Sequence, residues 1–182
     1  SSIAINLTAL ASGAIEHAVL LGTTALNATG NAQANKLTGN SGANQLNGGV
    51  GADTLSGGNG ADTYTVDNLG DQVIETTGGA PGGVDFVVSS VDFELGANVE
   101  KLTLTNLALK GTGNELGNII TGNNRDNILD GKGGNDTLTG GIGNDIYVVD
   151  SVKDVVNETV LNNAGGGVDM VQSSVNFSLA TR

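Results

Sequence analysis

The chain has no cysteine and no tryptophan, a single proline, and only 3% aromatic residues among 182. Without cysteine there is no disulfide, no Cys-based zinc site and no thiol nucleophile. So few aromatics beside 30 glycines are poor material for a bulky apolar core. Basic residues are also scarce: 7 Lys and Arg stand against 19 Asp and Glu, for a net charge of −12. That balance argues against nucleic acid or an anionic membrane surface as partner, and for cations. No run approaches the ~18 apolar residues of a membrane span, and the opening SSIAINLTAL lacks the basic start and apolar core of a secretory signal. His17 is the only histidine and no G-x-S-x-G occurs, so a Ser–His triad has no material; His17 reads as an exposed or edge polar residue. Neither DGKGGND (130–136), with no Ser or Thr after Lys, nor GGVGAD (48–53), with Asp where G-x-G-x-x-G ends in Gly, meets a phosphate-loop motif.

What the chain has instead is repetition. GGVGADTLS (48–56) is followed directly by GGNGADTYT (57–65). Counting each nonamer from its first Gly, position 6 falls on Asn35, Asn44, Asp53, Asp62 and Asp71, and position 8 on Leu37, Leu46, Leu55, Tyr64 and Val73. The frame returns with position 6 at Asn118, Asn127, Asp136, Asp145 and Asp154, and position 8 at Ile120, Leu129, Leu138, Tyr147 and Val156. The two arrays are offset by 83 residues (Asp62 to Asp145, Tyr64 to Tyr147), a second layer of repetition. GGVDFVVSSVDFEL (82–95) likewise matches GGVDMVQSSVNFSL (166–179), and SSIAINL (1–7) resembles part of that phrase. We therefore expect a first unit over 1–88, a second over 89–172, the start of a third over 173–182, and a chain that is a piece of something longer.

Glycine and asparagine at intervals of nine leave no room for three helical turns, and the spacer alternates as half-buried strands do (Val91, Phe93, Leu95; Val99, Leu102, Leu104). The sequence predicts an all-β parallel β-roll (β-solenoid), with nonapeptide arrays near 30–75 and 113–158 joined by strand-forming spacers. ASGAIEHAVLL (11–21), the one stretch open to a helical reading, is assigned to strand. Each nonamer divides into six residues of turn and three of strand, with position 8 the single inward side chain. Two nonamers make one flattened coil, so turns n and n+2 stack on the same edge. Tyr64 and Tyr147 fill position 8 as wider core plugs near a roll end.

Stacked coils lie ~4.8 Å apart, which would bring position-6 carboxylates together at a repulsion of roughly 3.5 kcal/mol for an effective dielectric near 20. A cation between them removes that penalty. Glycine-rich turns aim backbone carbonyls inward, so two kinds of hard oxygen converge, a donor set that suits Ca²⁺ with ~6–8 oxygens at about 2.3–2.6 Å better than the stricter octahedron of Mg²⁺. The expected metal ligands are Asp53, Asp62, Asp71, Asp136, Asp145, Asp154, Asn44 and Asn127. Gly48, Gly49, Gly51, Gly57, Gly58, Gly60, Gly131, Gly133, Gly134, Gly140, Gly141 and Gly143 build the carbonyl cage. The best-formed pairs are Asp53 with Asp71 and Asp136 with Asp154; next come Asn44 with Asp62 and Asn127 with Asp145.

GGVGADTLS, GGNGADTYT and GGIGNDIYV fit G-G-x-G-x-D-x-U-x and resemble the calcium-binding nonapeptide of the RTX (repeats-in-toxin), haemolysin-type family. The flanking SSV-x-F-x-L, VEKLTL and TGN phrases look like its spacers. The resemblance implies a parallel β-roll, calcium between turns, stacking on neighbouring repeats of the same chain, and an extracellular bacterial protein exported by type I secretion. On this reading the chain is a non-catalytic, Ca²⁺-gated folding and spacer segment of an adhesin, surface-layer or toxin-like protein. The alternative is the C-terminal folding and secretion module of an extracellular hydrolase, a metalloprotease or lipase. Asp71, Glu75, Asp154 and Glu158 in GDQVIE and KDVVNE look like paired acid/base carboxylates, but their recurrence at the 83-residue offset assigns them to calcium or edge roles. Asn at position 6 of the early turns supplies one oxygen and no charge, so those turns bind calcium weakly, or Asn35 and Asn118 hydrogen-bond from coil to coil without metal. Arg125 replaces the position-4 glycine of its turn.

Overall fold

The computed structural model describes residues 4–7, 15–79, 81–158 and 166–178. These form only strands and turns, without an α-helix. The first nine strands are β1 (Ile5–Asn6), β2 (His17–Val19), β3 (Asn27–Thr29), β4 (Lys36–Thr38), β5 (Gln45–Asn47), β6 (Thr54–Ser56), β7 (Thr63–Val66), β8 (Gln72–Val73) and β9 (Phe86–Ser89). The second nine are β10 (Phe93–Glu94), β11 (Lys101–Leu104), β12 (Lys110–Thr112), β13 (Ile119–Thr121), β14 (Ile128–Asp130), β15 (Thr137–Thr139), β16 (Ile146–Val149), β17 (Val155–Asn157) and β18 (Met170–Ser173). The stretch 11–21, assigned to strand, contains β2; its residues 11–14 lie outside the described residues.

Consecutive strands alternate between two faces of a flattened coil. One face is a single sheet of nine parallel strands, β1-β3-β5-β7-β9-β11-β13-β15-β17. The opposite face is two sheets, β2-β4-β6-β8 and β10-β12-β14-β16-β18. Register follows the nonamer: Leu37 lies beside Leu55 and Leu55 beside Val73, while Leu46 lies beside Tyr64. Turns n and n+2 therefore stack, as the frame predicts. Position 8 packs a thin ladder of buried side chains between the faces, with Leu37, Leu46, Leu55, Tyr64, Ile120, Leu129, Leu138 and Tyr147 at most 1% exposed. Among the described residues no helix is long and apolar enough to cross a membrane.

The sheet break falls between β8 and β10. There Asn98, held at φ 65, donates its Nδ2 to the Glu75 carbonyl at 3.1 Å and ties the spacer to the end of the first array. Among the described residues, array strands 83 residues apart are nine places apart in strand order, an odd number, so equivalent strands lie on opposite faces. Leu55 lies in a strand of the four-stranded sheet, whereas its counterpart Leu138 lies in the nine-stranded one. The second array is thus turned by half a coil relative to the first, a relation that matching the two sequences does not express.

Candidate metal centre

The position-6 side chains form a ladder along each edge of the roll. Each carboxylate accepts, through Oδ1, the backbone N–H of the position-6 residue one coil earlier. Asn35 N donates to Asp53 at 2.6 Å, Asp53 N to Asp71 at 2.9 Å, and Asn44 N to Asp62 at 2.7 Å. In the second array Asn118 N donates to Asp136 at 2.7 Å, Asp136 N to Asp154 at 2.9 Å, and Asn127 N to Asp145 at 2.7 Å. Asp53, Asp62, Asp136 and Asp145 are each 1% exposed.

Their second oxygens are different. Oδ2 of Asp53, Asp62, Asp136 and Asp145 is buried without a hydrogen-bond partner. A buried ionised oxygen left so is strongly unfavourable, and burial pushes all four carboxyls above their usual range against the opposing N–H bonds, Asp62 to about 6 and Asp136 to about 7. Asp71 and Asp154 differ in that Oδ2 is engaged by their own turn, accepting from Asp67 N and Asn68 N in one case and from Asp150 N and Ser151 N in the other.

The glycines divide by role. A Cβ at Gly48, Gly57, Gly131 or Gly140, all position 1, would overlap Oδ2 of the aspartate five residues on, so a hydrogen there keeps the cradle open. Gly49, Gly58 and Gly141 at position 2, and Gly51, Gly60, Gly134 and Gly143 at position 4, have φ between 82° and 142°, where side chains are disfavoured. In the turn that begins at Gly131, Lys132 takes the left-handed position 2 with φ 58. A Cβ on the next residue, Gly133, would meet only Glu115, whose exposed side chain is free to move. The orphaned oxygens, the opened cradles and an all-oxygen donor set fit a hard divalent cation, with the aspartates as its anionic ligands.

The asparagine turns are closed by their own amides. Asn44 accepts from Asn40 N at 2.8 Å through Oδ1 and donates Nδ2 to the Leu26 carbonyl of the preceding coil at 2.7 Å. Asn118 does the same with Asn114 N at 2.8 Å and the Val99 carbonyl at 3.0 Å, and Asn127 with Asn123 N at 2.8 Å and the Ala108 carbonyl at 3.2 Å. Asn35 accepts from Asn31 N at 2.6 Å and reaches the Ile15 carbonyl at 3.4 Å. In all four turns position 2 is also Asn (Asn31, Asn40, Asn114, Asn123), and its amide too donates to carbonyls one coil back, as from Asn40 to Thr24 at 2.9 Å. The turns with Asp at position 6 in the core of each array have Gly or Lys at position 2. That pairing of positions 2 and 6 is visible in the sequence, although the frame count does not draw attention to it.

At the end of each array the structure assembles acidic groups that the nonamer frame does not predict. Asp85 takes the next place on the Asp62 edge, accepting Asp62 N at 2.7 Å, and Asp169 does so for Asp145 at 2.9 Å. One carboxylate oxygen from each of Asp62, Glu75 and Asp85 lies within 4.8 Å of the others, and Asp145, Glu158 and Asp169 make the same arrangement. Tyr64 donates its hydroxyl to Glu75, and Tyr147 to Glu158 at 3.0 Å. Each tyrosine hydroxyl also accepts from position 1 of its own turn, Gly57 N at 2.8 Å and Gly140 N at 2.9 Å. The tyrosines thus fill the core and brace an acidic cluster. Burial, then the neighbouring carboxylates, hold Glu75 and Asp85 up to about 7.

The family model of the RTX calcium-binding nonapeptide repeat (four copies) matches residues 29–64 and 112–155, the two stretches that carry these ladders. No curated protein and no solved structure matches the chain. Glu75, Asp85, Glu158 and Asp169 lie outside the matched residues. The two arrays are thus RTX calcium-binding nonapeptide repeats, and the β-roll they build is a structural calcium-binding domain that is not catalytic by itself.

Proposed function

We propose that this chain is a Ca²⁺-gated folding and spacer segment of a larger secreted bacterial protein of adhesin, surface-layer or toxin-like type, built of the 83-residue units described above. The observation that carries the reading is the set of buried, unpartnered Oδ2 atoms of Asp53, Asp62, Asp136 and Asp145, each facing a position-1 glycine that leaves it room. The principal sites are Asp53 with Asp71 and Asp136 with Asp154. Asn44 with Asp62 and Asn127 with Asp145 are secondary, since each amide already makes coil-to-coil bonds. Carbonyls of the glycine turns complete the oxygen set.

Gating follows from the energetics. Thin position-8 side chains bury little apolar area, every glycine adds backbone entropy that folding removes, and the aligned carboxylates repel. A site filled at about ten times its dissociation constant contributes roughly 1.4 kcal/mol, and extracellular calcium modules have constants of about 10⁻⁴–10⁻³ M, so several sites together decide whether the roll forms. In a calcium-poor cytosol such a chain remains extended and exportable; outside, it folds without a disulfide step. Far-UV circular dichroism in chelator, then in millimolar Ca²⁺ and separately in Mg²⁺, tests this. We expect a β signal with Ca²⁺ alone. A full signal in chelator, or an equal response to Mg²⁺, overturns the gating.

A further inference from the structure

We propose that Asp62, Glu75 and Asp85, and likewise Asp145, Glu158 and Asp169, form a cation site at the end of each array, which carries the nonapeptide frame at Asp62 and Asp145 on to residues beyond it and fastens the following spacer to the roll. The proposal rests on the calcium reading above and extends it to residues outside the repeat. In the first cluster Asp62 and Asp85 are 1% exposed and Glu75 6%, and each keeps one oxygen (Asp62 Oδ2, Glu75 Oε2, Asp85 Oδ2) buried without a partner. Their other oxygens are already committed: Asp62 Oδ1 to Asn44 N, Asp85 Oδ1 to Asp62 N, and Glu75 Oε1 to Gly57 N at 3.1 Å and to the Tyr64 hydroxyl. Three anionic groups are thus pinned by donors on one side and unsatisfied on the other. Oxygens bound to one Ca²⁺ at about 2.4 Å lie at most about 4.8 Å apart, and the three carboxylates meet that limit.

The place in the chain gives the site its role. Asp62 belongs to the array, Glu75 follows its last strand, and Asp85 lies beyond the spacer loop and directly precedes β9. A cation held by all three would join the two ends of that loop to the edge of the roll. Asp145, Glu158 and Asp169 repeat the arrangement on the opposite edge, with Asp145 Oδ2 likewise buried without a partner, while the two Glu158 oxygens accept from Gly141 N and the Tyr147 hydroxyl. Glu158 is exposed and Asp169 half-buried, so the second site is the more open and should exchange its ion faster.

The two clusters carry their own reporters. Tyr64 and Tyr147 are the only tyrosines, tryptophan is absent, and each tyrosine hydroxyl touches its cluster's glutamate. Terbium(III) bound there is positioned for sensitisation by tyrosine. The experiment titrates the full chain with Tb³⁺, with Ca²⁺ as competitor, and repeats it on Glu75→Gln/Glu158→Gln and on Asp53→Asn/Asp136→Asn, following far-UV circular dichroism in parallel. The glutamine pair should lose more than half of the tyrosine-sensitised emission and about one bound ion per array with the β signal in Ca²⁺ retained, and the asparagine pair should lose ions with most of the emission kept. Should the glutamine pair fail to fold, Glu158→Gln alone, at the open cluster, is expected to abolish the Tyr147 share of the emission. Unchanged emission and stoichiometry in a folded glutamine variant would overturn the proposal and leave the calcium reading standing. A parent chain that binds neither Tb³⁺ nor Ca²⁺ would overturn both.

Discussion

Gly131 and Gly133 stand two residues apart in one turn, neither has a positive φ, and yet alanine should act oppositely at the two. At Gly131 a Cβ would overlap Oδ2, Cγ and Cβ of Asp136, so the carboxylate has to leave the cradle. Leaving breaks its 2.7 Å bond from Asn118 N, worth about 1.5–3 kcal/mol for a charged acceptor. It also removes an anionic ligand, about 1.4 kcal/mol at ten times a site's dissociation constant. Against this stands the entropy that alanine takes from the unfolded chain, about 0.4–1 kcal/mol. The net is a loss of roughly 2–4 kcal/mol at that calcium level for Gly131→Ala. At Gly133 a Cβ would meet only the exposed Glu115 side chain, so the entropic gain is left nearly unopposed and Gly133→Ala should be neutral to slightly stabilising. Urea unfolding at about 10 mM Ca²⁺, with calorimetric calcium titration of both variants, reads the difference. Equal stability and equal ion uptake would refute the assignment of position 1 as the room for the carboxylate.

Three further outcomes follow from the same geometry. Asp53→Ala and Asp136→Ala should each reduce calcium uptake in calorimetric titration, whereas Asn35→Ala and Asn118→Ala should lower stability by about 1–3 kcal/mol with uptake kept, because they remove coil-to-coil amide bonds and no charge; equal loss of uptake would reverse the ligand assignment. Asn118→Asp replaces the Nδ2 donor to the Val99 carbonyl with an oxygen, so it should raise the calcium concentration at which the β signal is half-formed; a lower midpoint would refute the amide closure. Without metal the roll should gain stability as pH falls. Asp62, Glu75, Asp85 and Asp136 have folded values of about 6 to 7 against ordinary values of 3.8 to 4.5, so the folded chain holds more protons in that window. Their contribution is present near pH 4 and is lost as pH rises through 7. Circular dichroism in chelator from pH 4 to 8 checks the direction, and ordering that increases with pH would contradict the burial of these groups.

The coil was legible because its determinants are local and periodic. A frame of nine places one inward residue per strand, so stacking and register follow from counting, and the all-β parallel roll stands as expected. The position-6 aspartates were legible for the same reason. Asp85 and Asp169 were not, because their stacking partners Asp62 and Asp145 lie 23 and 24 residues away rather than 18. The loop that lengthens this step hides the continuation of the ladder. Glu75 and Glu158 stand in the sequence as repeated acids, but their meeting with a tyrosine hydroxyl and an aspartate depends on that loop's return. The paired asparagines at positions 2 and 6 were in plain view; only the bonds from both amides to carbonyls of the preceding coil show that they form one device.

The odd number of strands per unit gives the distribution of charge a physical reading. One edge carries the ladder Asn44, Asp62, Asp85, Glu100, Asn118, Asp136, Asp154, linked step by step through backbone N–H and amide bonds. The other carries Asn35, Asp53 and Asp71 and, further along, Asn127, Asp145 and Asp169. Each edge therefore holds one three-carboxylate cluster and one aspartate pair, with an asparagine coil before each new run of aspartates. An even number of strands would have set both clusters on one edge, concentrating repulsion there and leaving the other edge with fewer cations to bind coil to coil. The asparagine coils carry no charge at position 6 and bond to the preceding coil through their amides, so they add no repulsion where each new run of aspartates begins. On the proposed reading calcium decides whether the roll forms, by filling the places where a buried position-6 oxygen has no proton donor of its own.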